Sequence, residues 1–153
     1  LVENDFFGGN VFMSGFNSND CWVLFSIGFG ENGANLKEII ASADRINHAI
    51  ITRIELEASV NKLINNDFVF VQNETYFATD KAKNFYNKNK RFMEGYIEEW
   101  IRISDELKKQ PYKKTFENII SISDEEYRKA LIEYHKYFNK SSPFLNFLFG
   151  IKD

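Results

Sequence analysis

The side chains of this 153-residue chain that could do chemistry are few: two histidines, one cysteine and two tight acidic groups. His48 and His135 lie far apart, and neither sits in a cluster with metal-ligand spacing. His48 falls near a predicted helix end, where partial positive charge suits the helix dipole. Cys21 is embedded in the apolar run CWVLFSIGF, with nothing nearby to favour a thiolate, so it reads as a buried inert thiol. The acidic groups Glu98-Glu99 and Asp124-Glu125-Glu126 each have cations four residues on: Glu98 precedes Arg102, Asp124 precedes Arg128 and Glu125 precedes Lys129. That is the spacing of ordinary helix-surface pairs. The string GFGENG lacks the Lys-Ser/Thr and the strand–loop–helix setting of a phosphate loop. No nucleophile is matched with a base. The expectation is a protein that is not an enzyme and that uses no metal or cofactor.

Binding chemistry has one stronger candidate. Lys81, Lys83, Lys88, Lys90 and Arg91 fall within 11 residues that contain no acid, interleaved with Phe85 and Tyr86. On a helix, Lys83 and Lys90 point one way, Lys81 and Lys88 nearly the opposite way, and Arg91 between them. The group is either a solvated helix surface or an anion-binding patch. The net charge of -3 hides an asymmetry. Residues 1–80 hold four cations against 11 acids, and residues 81–153 hold 15 cations against 11 acids.

The chain that must position these groups is 44% hydrophobic, 27% charged and 16% aromatic, enough for a core without metal or disulfide staples. A lone cysteine cannot form an internal disulfide, which points to a cytoplasmic location. No apolar run approaches the roughly 18–20 residues needed to span a bilayer, so no membrane partner is expected. The chain opens at Leu1 rather than Met, which leaves targeting open.

Three segments are expected: an irregular Gly/Asn/Phe-rich arm over 1–19, a compact unit over 20–80, and a helical extension over 81–153 with an apolar tail. In the compact unit, Asp20 caps a short buried helix. Asn35 with Glu38 forms an Asn variant of the capping box, and Leu36, Ile39, Ile40, Ala43 and Ile46 share one helical face. Thr52 with Glu55 opens a third helix whose core face is Leu56, Val60, Leu63 and Ile64. DFVFVQ, Asn73-Glu74 and TYFAT read as strand, two-residue turn and strand.

Thr79 then starts one long helix that ends at Gln110-Pro111. Phe85, Phe92, Tyr96, Trp100, Ile103 and Leu107 recur along it as one stripe, and such a stripe must be buried, either within the monomer or as a homodimer seam. A short amphipathic segment follows around Phe116–Ile120, and Ser123 with Glu126 opens a last helix through about Phe138. The tail residues Phe144, Leu145, Phe147, Leu148 and Phe149 could cover the stripe in cis or in trans. The fold class is therefore mainly α with a small β-hairpin.

Helix, short turn at His48–Ile51, helix, hairpin and a Thr79-capped helix is an order that resembles the winged helix-turn-helix superfamily of bacterial transcriptional regulators, over about residues 36–80. That resemblance implies that the third helix enters the major groove, that the hairpin touches the DNA backbone, and that the long helix dimerises. The outward side of the third helix carries Ile54, Ala58, Asn61, Lys62 and Asn65. Asn61, Lys62 and Asn65 are side chains that read bases, whereas Ile54 and Ala58 suit only thymine methyls. Glu55 and Glu57 flank this face, and residues 67–80 contain no Lys or Arg. Phosphate neutralisation supplies most nucleic-acid affinity, so this charge distribution disfavours DNA. The reading that follows is a winged-helix interaction or regulatory module that self-associates as a homodimer. The alternative is a DNA-binding regulator that dimerises through the long helix.

Overall fold

The computed structural model describes residues 15–138. The expectations placed on the N-terminal arm before Gly15 and on the tail from Phe144 to Phe149 lie outside the described residues. Within them the protein is mainly helical, with six helices and a two-stranded antiparallel sheet: α1 (Ser18–Ile27), α2 (Leu36–Asn47), α3 (Arg53–Asn65), β1 (Val69–Gln72), β2 (Thr75–Ala78), α4 (Asp80–Asn89), α5 (Tyr96–Lys108) and α6 (Asp124–Phe138).

Local signals set most helix starts. Asn35 and Glu38 exchange both bonds of a capping box at α2, Thr52 and Glu55 do so at α3, and the Ser123 hydroxyl and Glu126 carboxylate do so at α6. Thr79 caps α4 through the amide of Ala82. At α1 the cap is Asn17, not Asp20: the Asp20 carboxylate sits at the third helical position and accepts the Asn17 N–H at 2.7 Å. His48 closes α2 in the left-handed conformation, at φ 51°.

The hairpin pairs Val69 with Ala78 and Gln72 with Thr75. Its turn residues Asn73 and Glu74 both have positive φ, at 49° and 59°, the geometry whose twist matches the flanking strands. A third chain segment joins the sheet at one point, where Ala34 exchanges two backbone bonds of 2.9 Å with Tyr76. Gly33 makes this approach possible: at φ +63° it has left-handed backbone, and a Cβ there would lie 2.6 Å from the Tyr76 carbonyl oxygen.

The long helix from Thr79 to Gln110 is not formed. Its span is split into α4 and α5 by residues 90–95, where Lys90 is extended, Met93 is left-handed and Gly95 caps α5. Geometry explains the break. In a straight helix, Phe85 and Leu107 would sit about 33 Å apart, yet both are buried in one core with Leu24, Leu56 and Phe68. Turning the chain allows both to reach it. Arg102 holds the turn, with Nε 3.0 Å from both carboxylate oxygens of Glu94 and a further hydrogen bond from Nη1 to the Asn89 carbonyl. Residues around Phe116–Ile120 form no helix.

The main core gathers α1, the inner faces of α2 and α3, β1, β2, Phe85 of α4, and Ile103 and Leu107 of α5. It draws on both sides of residue 80. Phe68 is edge-on to Phe16 and Phe85, and Phe29 stacks on Tyr86 at 4.2 Å, packing that extends the aromatic content through the core. The Trp22 indole N–H donates to the Ala43 carbonyl at 3.0 Å and ties α1 to α2. A smaller cluster of Ile40, Ala130 and Tyr134 seats α6 on α2.

Candidate interaction surfaces

The outward side of α3 is the first surface to consider. Of its five predicted members, only Ile54 and Ala58 are exposed. Asn61 and Asn65 are buried, because the chain between α5 and α6 runs across them. The Asn61 amide donates to the Ile120 carbonyl at 3.0 Å and accepts the Ile120 N–H at 2.8 Å. Asn65 accepts the N–H groups of Glu117 and Asn118 at 2.8 and 2.9 Å and donates to the Asn118 carbonyl. Glu57 accepts the Ile122 N–H at 2.7 Å, and Arg53 Nη1 donates to the Ile122 carbonyl at 3.2 Å. Just past the helix, Asn66 accepts the Lys113 N–H at 2.6 Å.

The spacing is regular. Glu57, Asn61 and Asn65 are four residues apart, about 6 Å per step on a helix. Their partners Ile122, Ile120 and Asn118 are two residues apart, about 6.6 Å per step in extended chain. The two rows stay in register over three steps while running in opposite directions.

Lys62, the fifth member, turns inward. Its Nζ lies 3.1 Å from Oδ2 of Asp20, whose side chain is fully buried. The hairpin offers no cation either. Its exposed face carries Phe70 stacked on Phe77, the cross-strand pair, at 5.1 Å.

The five cations of residues 81–91 do not converge. Lys81 donates to the Asn66 carbonyl at 2.8 Å and lies over the Phe68 ring. Lys83 pairs with Glu31 at 2.8 Å, and Lys90 lies over the Tyr86 ring. Lys88 and Arg91 are exposed, with Arg91 beyond the end of α4.

The aromatic stripe is likewise divided. Phe85, Ile103 and Leu107 are in the monomer core, and Trp100 is half-buried against it. Phe92 is 96% exposed and Tyr96 is 51% exposed. The exposed apolar surface here has members that the stripe did not include: Met93, Ile97 and Ile101. Ile97 and Ile101 are one turn apart on α5, and both are exposed. Tyr96, Ile97 and Trp100 line a shallow cleft of about 200 Å³ with Ile46, Asn47 and His48 at the end of α2. Periodicity over α5 alone would have found Ile97 and Ile101; treating 79–110 as one helix concealed them.

A larger cleft, about 430 Å³, lies between the hairpin, the start of α2 and α6, and is lined by Val71, Tyr76, Ile120, Lys129 and Glu133 among others. Its charges are mixed. Among the described residues no group of three or more His, Cys, Asp or Glu could hold a metal ion, and no helix is long and apolar enough to cross a membrane. Cys21 is buried, and burial pushes its thiol up to about 12, far from a reactive thiolate. No protein-family model matches the chain, and no curated protein or solved structure matches it.

Proposed function

We propose that the chain is a non-enzymatic winged-helix protein that acts as an interaction module and self-associates through the outer face of α5. One observation carries this reading. Met93, Tyr96, Ile97 and Ile101 are exposed apolar side chains close together along the chain, and Tyr96 and Ile97 line a cleft with the end of α2. Single exposed hydrophobic residues are ordinary, whereas a contiguous group beside a cleft is the mark of a contact surface. The polar face of α3 supports the same reading over DNA recognition. Asn61 and Asn65 already spend their amide groups on the chain's own backbone, and Lys62 on Asp20. A helix in that condition has little left with which to read base edges.

Light scattering on the wild-type chain and on the double variant Ile97→Glu/Ile101→Glu tests the proposal. The expected result is a wild type at twice the chain mass and a folded variant at the single mass. Equal masses for the two folded proteins would remove α5 as the contact. Titration with mixed-sequence duplex DNA should give no binding at low salt. Tight, salt-dependent binding that Lys88→Glu weakens would favour the regulator reading instead.

A further inference from the structure

We infer that the outer face of α3 is a binding site for an extended peptide main chain, and that residues 113–122 are its built-in, exchangeable occupant. This is separate from self-association through α5 and uses none of its residues.

Among the described residues, eight hydrogen bonds join the main chain of residues 113–122 to side chains of Arg53, Glu57, Asn61, Asn65 and Asn66. No backbone-to-backbone bond in the described residues involves the segment. It is neither strand nor helix; its polar anchorage is the α3 row, and its apolar anchorage is Ile122 in the main core with Ile120 packed against it. Most of its side chains point away: Lys113, Lys114, Thr115, Glu117, Asn118, Ile119 and Ser121 are exposed. Only Ile122 is buried, with Phe116 and Ile120 half-buried.

Recognition of this kind reads the backbone and tolerates changes in side chain. An asparagine that both donates to a carbonyl and accepts from the N–H of the same residue, as Asn61 does with Ile120, is satisfied by any non-proline residue in extended form. Asn65 does the same with Asn118. The site therefore fits a short extended peptide, with aliphatic side chains where Ile120 and Ile122 stand and no proline where Lys113, Glu117, Asn118, Ile120 and Ile122 give their N–H groups. The same main-chain logic governs peptides that add to sheet edges, here with a row of side-chain amides in place of the edge.

The occupant is also placed for exchange. It links two helices that have their own anchorage, α5 in the main core and α6 against α2. Pro111 precedes it, and its first residues, Lys113–Thr115, are exposed. Release from α3 withdraws Ile122 from the main core, while α5 and α6 each keep their other anchorage.

The test uses a fluorescent peptide of residues 113–123 and the full chain. In Ile120→Pro, the built-in segment loses the N–H that Asn61 accepts, while α3 is untouched. The peptide should bind Ile120→Pro about tenfold or more tighter than wild type, since a site that is mostly occupied is weakened by its free fraction. Adding Asn61→Ala and Asn65→Ala on that background should lose the gain. Binding to Ile120→Pro that is no tighter than to wild type, or that survives the two alanines, would overturn the proposal.

A second measurement needs no variant. In native-state hydrogen exchange, the amides of Asn118, Ile120 and Ile122 should exchange about tenfold or more faster than those of Val60 and Leu63 in α3, as local opening requires. Exchange at the rate of α3 would show that the segment leaves only when the core unfolds, and would overturn exchangeability whatever the fate of Ile120→Pro.

Discussion

Lys62 of α3 places its Nζ 3.1 Å from Oδ2 of Asp20 in α1, and this ion pair is closed off from solvent on the Asp20 side. Each residue looked from the sequence like a local device, Asp20 as a helix cap and Lys62 as a contact for a phosphate or a base. Together they join two helices that pack across the core. Asp20 also accepts the Asn17 N–H, so one oxygen serves both a cap and a cross-helix pair, while Oδ1 has no hydrogen-bond partner. Removing either partner from such a pair leaves a buried charge uncompensated, which typically costs about 3–5 kcal/mol.

This pair has a signature in pH. Burial pushes the Asp20 carboxyl above its ordinary value of 3.8, with the Asn17 bond and the Lys62 charge opposing the shift. The folded chain therefore holds a proton over a pH range in which the unfolded chain has released it. The stability that this group contributes is full below 3.8 and is lost as pH rises through the raised folded value. Glu31, Glu94 and Glu126 shift the other way, through hydrogen bonds from Lys83, Arg102 and Ser123 respectively, so they weaken the fold on acidification. Comparison with Asp20→Asn isolates the one group. In urea titrations, wild type should gain stability relative to Asp20→Asn on going from about pH 7 to about pH 4. A relative loss would show that the carboxyl is not raised.

The division of the aromatic stripe predicts two very different substitutions. Leu107 is fully buried in the main core, and Leu107→Ala should cost about 2–5 kcal/mol through lost transfer energy and a residual cavity. Phe92 lies in the turn before α5 and is 96% exposed. Phe92→Ala should change the stability of the monomer by no more than about 0.5 kcal/mol. Denaturation at low protein concentration checks both. A large loss at Phe92 would mean that a single continuous helix buries it.

At the hairpin turn, Glu74 is held at φ 59°, where a side chain crowds the following carbonyl. Asn73, at φ 49°, tolerates this region better. Glu74→Gly should raise stability by roughly 0.5–1 kcal/mol, less than the full left-handed penalty because glycine also loosens the unfolded chain. The shift in thermal midpoint measures it. A decrease would mean that the Glu74 side chain makes a compensating contact.

The features legible in the sequence are those whose partners lie within one turn or one hairpin. The capping pairs Asn35–Glu38, Thr52–Glu55 and Ser123–Glu126, the Thr79 cap and the Asn73-Glu74 turn are all of this kind. Their chemistry is complete inside a short window, so residue type and spacing determine them. The core face Leu56, Val60 and Leu63 belongs with them, because helical periodicity alone puts these residues on one side.

What the sequence could not decide is where each remaining face finds its partner. Asn61 and Asn65 sit on the side of α3 opposite its apolar row, and helical phase alone assigns that side to solvent. Only the path of the chain 59 residues downstream of Asn61 covers it. Asp20 meets Lys62 across 42 residues, and no local pattern encodes that distance. The break at residues 90–95 has the same origin. Phe85 and Leu107 carry a helical period that one long helix would satisfy, and burial of both in a core too small for a straight helix overrides it. Local hydrogen bonding and periodicity thus determined most helix starts and the hairpin turn, whereas competition for one core decided where the 79–110 span breaks and which faces remain open to a partner.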